Sequence, residues 1–457
     1  MTSTDLRLDR LHFRNFRCFS DCKIDLHRDL TVFVAENGCG KTAVLDAIGI
    51  ALGSFVDAVA GTSHFHRFDR DDVRLVKGAE GGMVPALPTA FVAEGYVTGD
   101  AVQWGRSVLK YTARARPTKK DVEPLLEIAR RLRSSLEADA PQTAAAPALP
   151  LVAFYGTGRL WSEHRLTEGR KNYAIDTRSR LSGYADCLSS SSSFKGVVAW
   201  FENKMGEIRD PKFARELSQN VPLITAVQQA VRVVLEPTGW QDLNWGQEER
   251  SLVVSHAAYG QLRLSALSDG VRNMIALVAD IAHRCARLNP HLREEAAQQT
   301  TGILLIDEID MHLHPRWQQL VVDLLRKAFP SLQIILSTHS PHVLSTVNKE
   351  SIRAIRFQGG ESLIETPAFQ TRGVVSADVL ASIMGVDPIP QIEESAWLSN
   401  YRGLIEDGAA EKPEALALRT KLVGHFGESH PLISDCDRLI RFQAFRLKRK
   451  DPEGKVT

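Results

Sequence analysis

A glycine-rich loop near the start of the chain is the feature that most restricts what this sequence can fold into. Residues 35–42 read Ala-Glu-Asn-Gly-Cys-Gly-Lys-Thr, after the apolar run TVFVA and before KTAVLDAIGIALG, whose apolar residues have helical spacing. In a strand-loop-helix unit, Gly38 and Gly40 let backbone N–H groups turn toward phosphate oxygens, and the helix N-terminus adds its positive dipole. The sequence therefore predicts a phosphate-binding loop followed by a helix that ends at Gly53.

The loop matches the Walker A pattern G-x-x-x-x-G-K-[ST] except at its first position, where alanine replaces glycine. If that position needs a positive φ, alanine costs about 1 kcal/mol, which does not exclude the motif. Lys41 is expected to reach the β- and γ-phosphates, and Thr42 to place its hydroxyl on Mg²⁺. A chance glycine-rich turn is the alternative, and the strand-loop-helix context disfavours it. The predicted nucleotide-binding residues are Ala35, Glu36, Asn37, Gly38, Cys39, Gly40, Lys41 and Thr42.

Two short apolar runs, GILLIDEID and LQIILSTHS, are typical of buried strands in a parallel sheet. The first ends in Asp307, which is placed to hold Mg²⁺ as a Walker B aspartate, and in Glu308, which is placed to act as general base toward water. The second ends in His339, where an imidazole could sense the γ-phosphate or orient water. Ordinary solvated acids and a structural histidine are the alternatives, and the Walker A loop makes them weaker.

The segment from Ser265 to Arg272 reads Ser-Ala-Leu-Ser-Asp-Gly-Val-Arg and precedes a strong helix pattern. Ser268 suits the N-cap of that helix, and Gly270 allows a phosphate to approach closely. A plain helix cap explains Ser268 without any nucleotide, but it does not explain the position of the motif upstream of Walker B.

Taken in order, AENGCGKT, LSDGVR, LLIDEID with MHLHP, and STHSP resemble the ATP-binding-cassette ATPases of the SMC, RecF and OLD group. LPLVAFYGTGRLW and DVLASIMGVDP are similar to a bacterial subgroup described as ATP-binding proteins involved in virulence. That subgroup includes the ATPases of Septu and retron anti-phage systems. The resemblance implies ATP and Mg²⁺ as ligands and hydrolysis of ATP, with Glu308, His339 and Lys41 catalytic and Thr42 and Asp307 on the metal.

The resemblance also implies an ATP-dependent homodimer or higher oligomer. Ser268, Asp269 and Gly270 would then form a signature motif that binds, in trans, the ATP held by a second chain. The segment Glu308 to Pro315 would be the D-loop, which makes His312 and His314 interface residues rather than a metal pair. The run YGTGR departs from the group because no Gln follows the strand.

The implied fold is α/β: a P-loop ATPase domain split by a mostly helical insertion, with a helical C-terminal tail. Lys41 and Ser268 are 227 positions apart, so the nucleotide domain is interrupted. The predicted division is an N-terminal lobe at 1–115, the insertion at 116–250, a C-terminal lobe at 251–350 and a helical region at 351–457.

An internal nuclease is disfavoured, because Asp435-Cys-Asp437 lies in an apparent amphipathic helix rather than at a strand exit. By resemblance to Septu and Septu-like retron systems, cutting would belong to a nuclease partner of the HNH type. The alternative functions are a DNA-repair or SMC-like nucleic-acid clamp and, less favoured, an OLD-type nuclease.

Composition narrows the class of partner. The 457 residues carry 56 Lys and Arg against 55 Asp and Glu, a net charge of +1, which argues against a protein coated with basic residues for DNA. The stretch 438–457 has a balance of +5, so a local contact with nucleic acid or an acidic partner remains open. No C-x-x-C pair, signal peptide or apolar run of membrane-spanning length is evident, so we expect reduced thiols, no membrane and a cytoplasmic location.

Overall fold

The computed structural model describes residues 5–61, 68–79, 81–111, 118, 120–138, 147–159, 179–189, 194–210, 212, 217–359 and 361–450. Most of the predicted linker at 137–150 and of the serine run at 189–193 lies outside these ranges. The strands are β1 (Leu6–Phe16), β2 (Phe19–Asp25), β3 (Leu30–Ala35), β4 (Leu75–Lys77), β5 (Met83–Pro85), β6 (Thr89–Val97), β7 (Asp100–Val108), β8 (Leu151–Tyr155), β9 (Trp240–Gly246), β10 (Ser251–His256), β11 (Gly260–Arg263), β12 (Gly302–Ile306), β13 (Leu332–Thr338), β14 (Ile352–Gln358) and β15 (Glu361–Glu365).

The helices alternate with these strands and then dominate the end of the chain. They are α1 (Lys41–Ala60), α2 (Glu123–Ala138), α3 (Lys195–Arg209), α4 (Leu217–Leu235), α5 (Asp269–Leu288), α6 (Ala296–Gln299), α7 (Pro315–Gln318), α8 (Val321–Ala328), α9 (Pro341–Leu344), α10 (Ser376–Ser382), α11 (Glu393–Glu406), α12 (Pro413–Phe426) and α13 (Pro431–Lys450).

A six-stranded sheet, here called the main sheet, organises the ATPase-like part of the chain. Its order is β15-β14-β3-β13-β12-β8; the pairs from β14 to β8 are all parallel, and β15 is antiparallel to β14. The strands β3, β8, β12 and β13 are buried along their whole length, which explains their continuous apolar runs. This confirms the predicted α/β class with a helical C-terminal tail.

A second, antiparallel sheet of order β2-β1-β6-β7 lies beside helix α1, and a three-stranded sheet β11-β10-β9 precedes helix α5. The hairpin predicted at 89–112 is confirmed as β6 and β7. Helix α1 contacts strands of both larger sheets, so it is apolar on every side. Within the described chain it is the one helix long and apolar enough to cross a membrane, and 78% of its most apolar window is buried in the fold.

Helix α1 is longer than predicted. Gly53 is buried inside it, and the helix continues to Ala60 and ends at Gly61, whose φ of 70° gives a left-handed cap. Gly53 was therefore the wrong stop signal. The apolar pattern continues through Phe55, Val56 and Val59, all fully buried, and burial of that surface outweighs the low helix propensity of one glycine.

Three strands of the main sheet fall outside the two stretches predicted as ATPase lobes. Strand β8 lies within 116–250, which was predicted to be a mostly helical insertion, and β14 and β15 lie within 351–457, which was predicted to be helical. The helical prediction is wrong for β14 and β15, whereas β8 contains the strand at 152–154 that the sequence predicts within the mostly helical insertion. The five residues of β8 are all buried, although β8 is the last strand of the main sheet, and β8 pairs in parallel register with β12.

The chain divides into two compact units, Met1–Met384 and Gly385–Thr457. The first contains all the sheets and a continuous apolar core. The second contains α11, α12 and α13 around its own small core, formed by Tyr401, Ile405, Ala415, Leu422, Ile433 and Cys436.

Candidate functional site

The predicted site residues meet at one edge of the main sheet. Strands β3, β13 and β12 are adjacent and parallel, so their carboxyl ends point the same way. The loop after β3 begins beyond Ala35, the acids follow Ile306, and His339 follows Thr338. In an α/β sheet this edge is where ligands bind, because loops from several strands converge there.

The conformation of the glycine-rich loop requires glycine at two positions for different reasons. Gly38 has φ of 81° and open space around it, so only the backbone angle restricts it. Gly40 has φ of 101°, and a Cβ there would lie 2.5 Å from Cys18 Sγ and within 2.9 Å of the Phe19 ring. The loop is therefore packed against the turn between β1 and β2, while Glu36 and Asn37 are exposed.

Lys41 folds back over its own loop. Its ammonium group donates to the carbonyl oxygens of Ala35 at 2.9 Å and of Glu36 at 3.1 Å. Burial lowers the pKa of Lys41, and the nearby carboxylates of Glu308 and Asp307 oppose that shift. An ammonium has three donors, so one N–H remains for an anion at this edge.

The two predicted metal ligands touch each other. The Thr42 hydroxyl donates to Asp307 Oδ2 at 2.8 Å, although the residues are 265 positions apart in sequence. Asp307 is 2% exposed, and its backbone N–H donates to the carbonyl oxygen of Tyr155 in the neighbouring strand. A buried carboxylate and a hydroxyl thus face the same point beside the loop.

Ser337 fixes the two adjacent acids, and the sequence argument missed it. Its hydroxyl donates to Asp307 Oδ1 and accepts the backbone N–H of Glu308 at 2.8 Å. Glu308 has φ of 47°, a strained backbone for a side chain of this kind, and this hydrogen bond helps to hold it. The signal that could have identified Ser337 is its position as a polar residue next to the end of a fully buried, mostly apolar strand.

His339 is positioned by Asp310, a second residue that the sequence argument did not single out. Asp310 Oδ1 accepts from the Thr338 hydroxyl at 2.6 Å and from the His339 backbone N–H at 3.2 Å. Burial and the charge of Lys41 lower the pKa of His339. The imidazole is therefore neutral near pH 7 and can act as a hydrogen-bond donor or acceptor.

The signature segment lies at the N-terminal end of α5. Ser268 occupies the N-cap position, yet its side chain makes no capping hydrogen bond, and both Ser268 and Asp269 are exposed. A Cβ on Gly270 would lie 3.0 Å from the carbonyl oxygen of His312, so the start of α5 packs tightly on the D-loop. His312 has φ of 60°, which makes it the second strained residue in that loop.

The side chains of Tyr155, Asp435 and Asp437 have other partners. The Tyr155 side chain points to helix α5, where its hydroxyl donates to Asp280 at 2.6 Å. Asp437 pairs with Arg419, and Asp435 lies 3.4 Å from Arg438, so both acids of the Asp-x-Asp sequence are engaged on helix α13. In the described part of the chain, no group of three or more His, Cys, Asp or Glu side chains could hold a metal ion.

Two models of protein families match neighbouring parts of the chain. Residues 10–199 match a family described as "AAA domain", and residues 205–345 match "AAA domain, putative AbiEii toxin, Type IV TA system". The first covers the glycine-rich loop, and the second covers the signature segment, Asp307 and His339.

Similarity to known proteins extends over most of the chain. "Retron Ec83 probable ATPase" of Escherichia coli is 24% identical, over 92% of this chain and 84% of that protein. "Retron Vc95 probable ATPase" of Vibrio cholerae serotype O1 biovar El Tor is 23% identical, over 89% of this chain and 85% of that protein. "Septu protein PtuA" of Bacillus thuringiensis is 27% identical, over 30% of this chain and 35% of that protein.

Among solved structures, an SMC head bound to the C-terminal winged-helix domain of ScpA matches 79% of this chain and 98% of that chain, with 14% identity and a TM-score of 0.45. The two AAA matches follow one another along the chain, and they contain the motifs in the order that the sequence displays. The relatives that match nearly the full length are described as ATPases. The two AAA-domain matches and these near full-length relatives show that the chain is an ATPase.

Proposed function

We propose that this ATPase binds MgATP at the carboxyl edge of the main sheet, closes as a head-to-tail dimer over two nucleotides, and uses hydrolysis to regulate a partner. The observation that carries the proposal is the 2.8 Å contact between the Thr42 hydroxyl and the Asp307 carboxylate. It joins the two halves of the split domain at the point where a nucleotide's metal ion would be held.

The oxygen atoms at this point fit Mg²⁺. The ion takes oxygen ligands in octahedral geometry at about 2.0–2.1 Å, which places neighbouring ligands about 3 Å apart. The Thr42 and Asp307 oxygens are already 2.8 Å apart, so little movement is needed to accept it. When bound, the ion would neutralise charge on the phosphates.

The roles of the other residues follow from their positions. The loop from Ala35 to Thr42 would surround the phosphates with backbone N–H groups, and Lys41 would donate its free N–H to them. Glu308, held by Ser337, would accept a proton from the attacking water. His339 is neutral and would hydrogen-bond the γ-phosphate.

Dimerisation is proposed because the signature segment is presented outward. Ser268 and Asp269 are exposed, and the Ser268 hydroxyl is not used to cap its own helix. A helix N-terminus with free backbone N–H groups suits a phosphate, which a second chain would provide. Gly270 and the D-loop, packed together, would then form part of the same interface.

The test uses Glu308→Gln, which keeps the shape of the side chain and removes the base. The variant should bind ATP with Mg²⁺ and accumulate as a dimer, because hydrolysis no longer separates the chains. The measurement is molar mass by light scattering with and without MgATP. A variant that binds ATP and stays monomeric at all protein concentrations would rule out the dimer mechanism.

The partner is proposed to be a nuclease of the HNH type in an anti-phage defence system. Its support is the near full-length similarity to retron ATPases and the shorter match to Septu PtuA. ATP hydrolysis would gate the nuclease, and the chain itself would not cut. We also propose that this chain is located in the cytoplasm.

The test of the partner uses a nuclease whose gene lies next to the gene for this chain. Its cleavage of DNA or RNA, measured with purified components, should change when MgATP and the wild-type chain are added. The Lys41→Ala chain is the control, because it cannot cradle the phosphates. Equal cleavage with wild-type and Lys41→Ala chains would contradict gating.

A clamp on nucleic acid is the second candidate, and helix α13 favours it. Phe442 and Phe445 are 60% and 62% exposed, on the same helix as Arg438, Arg441 and Arg446. Exposed aromatic rings among arginines suit single-stranded nucleic acid, by stacking and by phosphate contact. Salt-sensitive binding of an oligonucleotide, lost in Phe442→Ala/Phe445→Ala, would support the clamp, and no binding at low salt would exclude it.

A further inference from the structure

A buried polar network lies behind the site, where strand β8 meets helix α5. Asp280 Oδ2 accepts from the Tyr155 hydroxyl at 2.6 Å and from Arg284 Nε at 3.0 Å. Arg284 also donates to the carbonyl oxygens of Gly183 and Ala185, at 3.0 and 2.8 Å. The network therefore ties α5 both to the main sheet and to the segment that runs along its edge.

The surroundings of this network favour a neutral phenol and a charged carboxylate. Burial raises the pKa of Tyr155 well above its usual value, so the phenol keeps its proton and donates it. Burial also favours the neutral form of Asp280, but Arg284, His283 and the Tyr155 hydroxyl together lower its pKa overall. A charged acceptor with a phenol donor makes a strong and directional hydrogen bond in the interior.

Tyr155 takes part in two contacts that lead to different functional elements. Its backbone carbonyl accepts the N–H of Asp307 at 2.8 Å, so its main chain is hydrogen-bonded to the Walker B residue at the end of β12. Its hydroxyl holds Asp280, which is 12 residues beyond Ser268 on α5, roughly 18 Å along the helix axis. One residue thus connects the acid of the chain's own nucleotide site to the helix that carries the signature.

We infer that Tyr155 is a positioning residue that couples occupancy of the chain's own nucleotide site to the orientation of the signature helix. The inference rests on the proposed function, since the signature acts on the second chain's ATP. A small shift of the Asp307 backbone on binding MgATP moves Tyr155, and the Tyr155–Asp280–Arg284 network passes that shift to α5. An apolar contact would fill the same space, but it would tolerate sliding, whereas a directional hydrogen bond fixes one orientation.

The test compares two buried tyrosines that each lose only a hydroxyl. Tyr155→Phe removes the bond to Asp280. Tyr184→Phe is the matched control, because Tyr184 is fully buried and its hydroxyl donates to the Pro150 carbonyl at 2.6 Å rather than to Asp280. Both changes are made in the full chain carrying Glu308→Gln. Affinity for a fluorescent ATP analogue is measured at low protein concentration, and the dimer dissociation constant by analytical ultracentrifugation.

Tyr155→Phe should leave nucleotide affinity within about threefold and weaken the dimer about tenfold or more, the size of a typical coupling between sites. Tyr184→Phe should weaken neither. Equal dimer constants for the two variants would overturn the coupling. A parent Glu308→Gln chain that does not dimerise would instead overturn the proposed function.

Hydrogen exchange gives a second measurement that does not depend on Tyr155→Phe folding. Ser268→Arg should bind nucleotide but remain monomeric. In that monomer, MgATP should change the exchange rates of backbone amides between Asp269 and Asp280, because the signal travels within one chain. Unchanged exchange in that stretch, with nucleotide bound, would overturn the inference.

Discussion

Ser337 carries as much of the site's geometry as the motif residues that lie beside it. Its hydroxyl bridges the Asp307 carboxylate and the Glu308 backbone, and so sets the directions of a metal ligand and a general base at once. Hydrogen bonds of this kind to ligand and catalytic groups commonly matter 10- to 100-fold for affinity or rate.

Ser337→Ala should therefore lower kcat for ATP hydrolysis about 10- to 100-fold, while nucleotide affinity changes little. The matched control is Ser345→Ala, since the Ser345 hydroxyl donates to the backbone carbonyl of His342 at 2.8 Å and contacts neither Asp307 nor Glu308. Steady-state ATPase rates and binding of a fluorescent ATP analogue give the two quantities. Equal kcat values for the two variants would show that Ser337 only fills space.

His283 should make stability depend on pH. Burial lowers its pKa to about 3, against 6.5 when unfolded, and its Nδ1 is buried without a hydrogen-bond partner. Between those values the unfolded chain binds the extra proton, so the free energy of unfolding falls as pH falls, by at most about 1.4 kcal/mol per pH unit.

His283→Phe keeps the ring contact with Trp200 and removes the titrating group. Urea unfolding at pH 7.5, 6 and 5 should show that the wild type loses stability faster than the variant as the pH falls. Parallel pH profiles for the two chains would mean that His283 is protonated as easily when folded as when unfolded.

Residues in local motifs were predictable, whereas residues that act through distant contacts were not. The strand-loop-helix pattern identified Lys41 and Thr42, and the acids after an apolar strand identified Asp307. Ser337 and Asp310, and the partner of Tyr155, became visible only when the order of the strands was known, because each side chain acts on a residue from another strand or helix.

At the scale of elements, the glycine-rich loop and the turn between β1 and β2 form one packed unit. Gly40 is restricted by both its φ and the close approach of Cys18 and Phe19, while Gly38 is restricted by φ alone. This difference could not come from the Walker A pattern, which specifies only the second of these glycines and says nothing about which turn lies beneath it.

Gly40→Ala should therefore be more damaging than Gly38→Ala. Gly38→Ala is expected to cost about 1 kcal/mol from the left-handed backbone alone. Gly40→Ala adds a clash with a sulfur and a ring, so it should cost more stability and abolish measurable nucleotide binding. Thermal unfolding and nucleotide titration of both variants test this, and an equal loss in the two would contradict the packing of the loop on Phe19.

The pattern of strands also explains where prediction from sequence succeeded among the elements. The pairs of strands predicted at 89–112 and 252–264 and the helix predicted at 269–288 carry clear periodicity, and they lie close to the observed β6–β7, β10–β11 and α5. Strand β8 is a short apolar run among helical segments, and β14 and β15 lie in a stretch dominated by helices. The pairing of β8 with β12 and of β14 with β3 joins residues more than a hundred positions apart, which local pattern does not report, whereas β15 pairs with the adjacent β14.

At the scale of the whole molecule, the split of the nucleotide domain brings two distant stretches to one edge of a single sheet. Strand β3 from the first stretch lies between β14 and β13 from the second, so neither stretch can complete the sheet alone. The near-zero net charge hides a basic stretch at 438–457. The helical unit from Gly385 onward has its own core.

The central claim is that each complete site combines the loop of one chain with the signature of another. It is tested by mixing two variants that both carry Glu308→Gln: Lys41→Ala, which lacks the phosphate cradle, and Ser268→Arg, which blocks the signature. Each should stay monomeric alone with MgATP, and the mixture should form dimers, because one site per pair is then intact. A mixture that stays monomeric, while Glu308→Gln alone dimerises with MgATP, would contradict the account.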